Sequence, residues 1–572
     1  MTTRTRAKER PSASITSFPC IDREKRYDGL SAATDMVNFR RRKDGTLEKR
    51  CGYGEVLSVP SLPRAVYTGY YGGESVLYLL TESSIYRREP DDEYGYVYAG
   101  RVEKNDGDAA FVELMGGLWL FDGDDVYLLS KDGIFESVEG YIPLYGKNWD
   151  PASQGEIYEA ENYLTPRVRI HYQNPKAQGT LYFGRRVVSI HGVWLDGVEA
   201  SKTEVELHNT GCACESELFR TAKEIELLVT LDEEDVRHTV TSARRAVVYG
   251  GAEDNRLFLW DGEDKNTFYV SRAVTHREAK RSDTLGNTTG GALYFPRSAE
   301  EYRVDAPITA TSRYFDRLLI FTASGTWAAE FSGGKLLVTS VHASVGCDKK
   351  DCAVLAGEAP VSLCGGQLWR WNARSTVQRE CTAELLSSPV SNFTRAFSEG
   401  KAMMQYYPEL SELWVTEAGN DSGRVLVYNV EAEGFYTYEG IYLDCLVPSS
   451  GMPVFTRGTS ILSFSSERLS DPTGAEIRAY YRSGWIDFGS PAQQKRLVGF
   501  ALLGSPDGER ITVRVESERG HAAALDLYGE SNETPNLYER RVGIGRFRYL
   551  RFLFEAVGEA KPYVSGLTLS LR

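Results

Sequence analysis

Two acidic turns are the first places to look for chemistry. Asp122-Gly123-Asp124-Asp125 and Asp261-Gly262-Glu263-Asp264 each gather three carboxylates in one bend, and a hydrolase needs a poised carboxylate pair or a nucleophile beside a base. Both turns stand directly behind an aromatic apolar run, Leu118–Phe121 in one case and Arg256–Trp260 in the other. Acids that recur at one place in a repeat fit a strand-to-strand turn, where the carboxylate bonds to its own backbone.

The remaining reactive types are no better arranged. Seven histidines (171, 191, 208, 238, 276, 342, 521) include no pair at metal-binding or proton-relay spacing. Among nine cysteines, Cys212/Cys214 and Cys347/Cys352 lack the two-residue gap of a zinc knuckle, and only His208 stands near either pair. An odd, thinly spread set predicts no disulfide framework and folding in a reducing cytosol. The run Gly286–Gly291 lacks the Lys-Ser/Thr that completes a nucleotide cradle. The sequence predicts no catalytic residue, no metal and no cofactor, and therefore a protein that is not an enzyme.

What the chain has instead is a repeating strand cassette: an apolar run, a polar turn and a second short apolar run. Val76–Leu80 with Ile85-Tyr86 superposes on Leu118–Phe121 with Val126-Tyr127 after a shift of 41 positions. Related cassettes begin at Arg256, Arg317, Gln367, Glu412 and Ser460. Each reads as a hairpin whose inner strand is buried on both faces, which no isolated hairpin can achieve. Stacking such units round an axis covers every face, so the cassettes predict an all-β fold, a β-propeller of six or seven blades. An ordinary β-sandwich with similar hairpins is the plainer alternative, and seven alike units are too many for one sandwich core.

Composition agrees with strands joined by glycine turns: 572 residues, 42% hydrophobic, 34 Tyr and 54 Gly. No apolar run reaches the roughly 18 residues of a membrane span, and Met1–Pro19 lacks the apolar centre of a secretory signal. The net charge of -14 is uneven: residues 1–51 are +6 and the remainder -20. An acidic body repels nucleic acid, whereas a basic segment grips phosphates or an acidic neighbour.

The pattern divides the chain into five parts. Residues 1–14 read as a flexible arm, and 15–140 as an N-terminal hairpin segment followed by the first blades. Residues 141–244 read as an inserted β-rich domain, 245–478 as the remaining blades, and 479–572 as a C-terminal β-sandwich. Asp44-Gly45 between two short alternating runs is a hairpin signal in which both central positions need positive φ.

The stretch Asn38–Tyr53, with Asn38, Gly45, Leu47, Lys49, Arg50 and Gly52 at the matching places, resembles the N-terminal signature of phage tail nozzle and packaged-DNA stabilisation proteins. Asn255–Trp260, Thr267–Arg272, Leu293–Pro296, Tyr314–Trp327 and Ser344–Cys347 follow in the order seen in that family. The resemblance covers most of residues 15–470 and is weak in the insert. Cys51 stands where the family usually has proline, and Arg281-Ser282-Asp283 breaks the approach to Leu293–Pro296.

The resemblance implies a non-enzymatic structural protein of the virion tail, made in the host cytoplasm. It would form a homo-oligomeric ring of six below the portal-adaptor, retaining packaged double-stranded DNA and conducting it at ejection. An acidic wall would keep that DNA from sticking. Arg40, Arg41, Arg42, Lys43, Lys49 and Arg50 are the candidates for assembly or phosphate contact, and Arg546, Arg548 and Arg551 for partner contact. The alternative is a carbohydrate-binding or carbohydrate-active propeller using exposed aromatic and acidic loop residues, and a third reading is a distal component of a longer tail.

Overall fold

In a computed structural model, seven four-stranded antiparallel units follow one another as blades among the described residues, the first two joined by a single parallel bridge between Gly100 and Phe135 into one eight-stranded sheet. The structure describes residues 12–25, 30–114, 116–232, 236–250, 255–272, 293–297, 301–373, 381–529 and 536–572. Blades 1 to 6 span 65–101, 110–137, 245–303, 308–342, 353–385 and 402–438. Blade 7 takes three strands from 445–464 and its fourth, Tyr53–Ser58, from the other end of the propeller sequence, paired with Ser460–Phe464. That strand closes the wheel.

The cassette explains why the blades stack. In a strand, successive side chains point to opposite faces, and here each face meets a different neighbour. From blade 2, Leu118 and Leu120 pack with Tyr78 and Leu80 of blade 1, while Trp119 and Phe121 pack with Leu257 and Leu259 of blade 3. Phe258 and Trp260 then face Leu318 and Ile320 of blade 4, and Leu319 and Phe321 face Val361 and Leu363 of blade 5. The circuit ends with Leu57, Val447 and Ile461 of blade 7 against Leu79 of blade 1.

The cassettes mark second strands in five blades and slip by one strand in two. Gln367–Ala373 and Ser460–Phe464 are third strands; the second strands of blades 5 and 7 are Ala359–Cys364 and Val454–Arg457. Second and third strands are both sandwiched between blades, so an aromatic run serves in either.

Between blades 2 and 3 the chain builds a five-stranded sheet containing Arg167–Gln173, Val187–Leu195 and Glu224–Leu231, and a three-stranded one. Trp149, Ile170, Tyr172, Phe183, Phe219 and Leu227 form a separate core there. The short helix Arg237–Thr241 leads back to blade 3.

The sandwich corrects the expected boundaries, because both chain ends build it. One sheet holds Ser12–Ile15, Phe39–Arg41 and Leu47–Lys49 together with Lys495–Ser505, Asn536–Phe547 and Tyr563–Leu571. The other runs from Ala33–Val37 through Ile477–Ser483, Leu550–Gly558 and Arg510–Ser517 to Ala522–Leu527. Residues 12–14, expected to be mobile, pair with Ser570–Thr568, since an edge strand needs only backbone partners and one buried anchor, here Ile15. Phe18 is fully buried and meets Tyr481, Phe552 and Phe554 edge-on, its ring centre 5.8, 6.1 and 5.4 Å from theirs. Val37 also pairs with Thr437, so blade 6 and this sheet form one continuous nine-stranded surface.

Candidate functional site

The segment that carries the family resemblance is a strap between propeller and sandwich. Its hairpin, Phe39–Arg41 with Leu47–Lys49, turns through a three-residue loop: the Gly45 amide donates to Arg42 O and the Arg42 amide to Thr46 O, both at 2.9 Å. Only Gly45 has positive φ, at +88°, so the loop is a type I turn followed by a left-handed glycine, not the two-residue turn expected. A Cβ at Gly45 would fall 2.4 Å from Ser17 Oγ.

Asn38 is buried with φ of 55°, a conformation that asparagine tolerates better than most residues. Its Nδ2 donates to Arg478 O at 2.8 Å, and its Oδ1 accepts from Arg50 Nε and the Glu439 amide, each at 2.9 Å. Arg50, also buried, grips Asp471 with both terminal nitrogens at 2.8 and 2.7 Å and donates to Glu439 O. Lys49 donates to Gly558 O at 2.7 Å and pairs with Glu509 at 3.0 Å. Burial pulls its ammonium below the ordinary lysine value, against the pull of Glu509. At Gly52 a Cβ would stand 1.9 Å from Ser470 O, so only glycine lets the strap pass.

The arginine run latches onto blade 6. Arg40 approaches Glu412 at 3.7 Å, a buried carboxylate that also accepts from Trp414 Nε1 at 2.9 Å and from the Tyr436 and Tyr438 hydroxyls at 2.8 Å. Burial opposes the Arg40 charge, but Glu412 and the two tyrosines more than offset it, so its pKa rises. Arg41 donates to Ala432 O at 2.9 Å and Ser17 Oγ at 3.2 Å. Arg42 pairs with Glu48, and Lys43 is exposed.

This placement corrects the phosphate-contact expectation for Arg40, Arg41, Lys49 and Arg50. Their charge is spent on carboxylates and carbonyls of the same chain, and Lys49 and Arg50 are out of reach of any phosphate. The arm residues Arg4, Arg6, Lys8 and Arg10 lie outside the described residues. Beside the strap opens a cleft of about 850 Å³, walled by Asn38, Arg50, Asp471, Arg478, Tyr480 and Arg482. Arg478 is tied to Glu555, and Arg482 lies over Tyr480 with 5.2 Å to the ring centre. The cleft joins paired charges and aromatic faces.

A second charged cluster bridges the propeller axis, around which the first strands of the blades lie side by side. Arg245 of blade 3 pairs with Asp108, before blade 2, at 2.8 Å and with Asp351, before blade 5, at 2.6 Å. Lys350 joins Asp108 at 2.8 Å and Asp261 at 2.7 Å. Burial alone would raise the Asp108 carboxyl, but Lys350 and Arg245 hold it down at about 2. Arg245–Asp108 joins the neighbouring blades 2 and 3, while the other three pairs join the start of blade 5 to blades 2 and 3, which are not its neighbours, and together they tie one mouth of the axis. The acidic turn at Asp122 is indeed a turn: its Oδ1 accepts from the Asp124 and Asp125 amides at 2.9 and 2.8 Å.

On the sandwich, Arg546 and Arg548 are exposed, as a partner contact needs. Arg551 is not available, because it pairs with Glu516 at 2.8 Å and stacks 4.6 Å from the Trp485 ring centre. Sequence reading missed Arg540 and Arg541, exposed on the same strand, Asn536–Phe547, as Arg546; their signal was a basic pair inside an alternating run. It also missed the axial cluster, whose signal was Arg244-Arg245 and Lys349-Lys350-Asp351 ahead of first strands. Among the described residues no three His, Cys, Asp or Glu side chains form a group that could hold a metal ion, and no helix is long and apolar enough to cross a membrane.

No protein-family model and no curated protein matches the chain. Among solved structures it is similar to PorZ, a surface component of the type-IX secretion system of Porphyromonas gingivalis, at 9% identity and a TM-score of 0.34, over 83% of this chain and 46% of that one. YCF48 bound to a D1 peptide matches at 8% identity and TM-score 0.35, over 73% and 96% of the two chains. Apo AztD from Citrobacter koseri matches at 8% and 0.29, over 84% and 90%. The chain thus spans less than half the length of PorZ. These likenesses concern the fold alone, and the blade count rests on the sheets themselves.

Proposed function

We propose that this chain is a non-enzymatic structural subunit of a phage tail nozzle or hub, assembling as a ring of six below a portal-adaptor to retain and then conduct packaged DNA. One observation carries the reading. The residues on which the family resemblance rests are the pieces that fasten propeller to sandwich: Asn38 and Arg50 tie blade 6 to Asp471, Lys49 reaches Glu509, and Gly45 and Gly52 stand where a Cβ would collide with Ser17 and Ser470. A signature spent on architecture fits a protein whose work is assembly.

The acidic body supports the same reading, since a strongly basic lumen would hold each passing phosphate. DNA would run through the centre of the ring of subunits, because the axis of each propeller is bridged by Arg245, Asp108 and Asp351. Negative-stain imaging of the purified protein, alone and with an adaptor ring, tests this. Six-fold rings stacking on the adaptor are expected; a protein that stays monomeric with the adaptor present and cleaves or retains glycans overturns the proposal in favour of a carbohydrate-directed propeller.

A further inference from the structure

The charge of the molecule is divided between its two main parts. Lys and Arg exceed Asp and Glu by six over residues 1–51 and by two over 479–572, so residues 52–478 hold a net -22 within a chain of -14. The sandwich, built from both ends, is therefore cationic, and the propeller with its insert is strongly anionic. Within the sandwich and strap core the cations are matched, as the Arg50–Asp471 and Lys49–Glu509 pairs show. Exposed cations without an ion pair among the described residues include Lys43, Arg496 and Arg510, and the densest group lies along and just past the edge strand Asn536–Phe547. Arg540, Arg541, Arg546 and Arg548 are exposed and form no ion pair among the described residues. Arg540 donates to the carbonyl of Ala524, which fixes the direction of its side chain.

A surface of the opposite kind stands on the rim of blade 1. The loop before its outer strand carries Asp91 and Glu93, both exposed and without an ion pair among the described residues, followed by Tyr94 and Tyr98, which are 67% and 55% exposed. The loop is not a floppy one: Asp92 Oδ1 accepts from the Tyr94 amide at 3.0 Å, and Tyr94 and Tyr96 lie 6.1 Å apart between ring centres. Guanidinium groups bind carboxylates in pairs and stack on aromatic faces, so an acidic, tyrosine-bearing rim is a surface that arginine fits better than lysine. The two patches occupy different parts of one chain, blade 1 and the sandwich that continues blade 6.

We infer that the arginine edge of one copy docks on the acidic tyrosine rim of blade 1 of the next copy. The contact is heterologous, head to tail, and such contacts close into rings when the rotation between neighbours is a whole fraction of a turn. This deepens the proposed ring, on which it rests, by naming the subunit contact. DNA is the other polyanion that four arginines could meet, and the net -22 of the rest of each molecule opposes its approach.

Charge exchange in the full chain tests the contact. Self-association is followed by mass photometry and sedimentation at low and high salt for wild type, for R540E/R541E/R546E/R548E, for D91R/E93R, and for all six changes together. Rings of wild type that loosen with salt are expected, each half-set raising the self-association Kd by about a hundredfold or more, and the combined variant regaining rings. That recovery also shows that neither half-set unfolds the protein. Rings that persist in both half-sets overturn this interface and leave the ring reading intact. Wild type that stays monomeric at low salt, with and without the adaptor, removes both. A parallel titration with duplex DNA overturns the contact if wild type binds DNA and the arginine variant does not while its rings are unchanged.

Discussion

The propeller and the sandwich use the same material, strands of alternating side chains, in opposite ways. A blade is local: its strands are consecutive hairpins, and among the described residues blade 7 alone completes its four strands with a distant one. The sandwich is built from chain ends more than four hundred residues apart, with Ser12–Ile15 paired to Tyr563–Leu571. Blades are held to one another by apolar faces, so each contact is replaceable in kind. The sandwich shares a sheet and an apolar core with the propeller, and it is fastened there by buried charges whose partners must all be present. The difference teaches that the wheel tolerates variation, as its slipped cassettes in blades 5 and 7 show, while the strap does not.

The sharpest way to break that comparison is to remove one member of the strap. Arg50→Ala leaves Asp471 about nine-tenths buried with no cation, and breaking a buried pair in this way costs about 3–5 kcal/mol. Denaturant unfolding of the variant is expected to show the sandwich signal, followed by fluorescence of Trp485, lost well before the blades. A single transition shifted as a whole would show that the two parts unfold as one unit. Replacing both partners by apolar residues of similar size should recover much of the loss, because the buried charge then goes with its partner.

A blade responds to a change of the same size by a different route. Leu120, fully buried between blades 1 and 2, becomes a cavity in Leu120→Ala, with an expected cost of about 2–5 kcal/mol. Limited proteolysis should then cut first within 65–137, with the sandwich intact. Cleavage beginning in the sandwich would mean that blade packing and strap are coupled through the shared core that runs from blade 4 to the C-terminal sheets.

The same contrast decides what could be read from sequence. Leu118–Phe121 announces a strand buried on both faces because all its partners repeat the pattern nearby, and Arg510–Ser517 announces a sandwich strand because its burial alternates residue by residue. Arg50 reads as a free cation because its counterion, Asp471, lies 421 positions away, and Lys49 because Glu509 lies 460 away. The strands Phe39–Arg41 and Leu47–Lys49 are three residues each, too short to show that they complete a distant sheet. Arg551 looks equivalent to Arg546 by alternation, yet Trp485 and Glu516 claim it. One-dimensional spacing reports which face a residue uses and is silent on which distant group covers that face.

The axial cluster supplies the mildest test, and it separates exposed from buried pairing. Asp108 is about half exposed, so solvent screens its pairs with Arg245 and Lys350 and keeps their contribution below about 1 kcal/mol. Its carboxyl is depressed from the ordinary 3.8 to about 2. A depressed acid contributes its stability in full above the unfolded value and loses it as the pH falls through the folded one. The difference in stability between wild type and Asp108→Asn should therefore be constant above about pH 4 and vanish between about pH 4 and 2, and it should shrink on adding salt. Arg50→Ala, whose pair is shielded from solvent, should show little salt dependence at neutral pH. Equal salt sensitivity in the two variants would mean that the strap is wetter than its burial indicates, and that the contrast between a forgiving wheel and an exacting strap is one of degree.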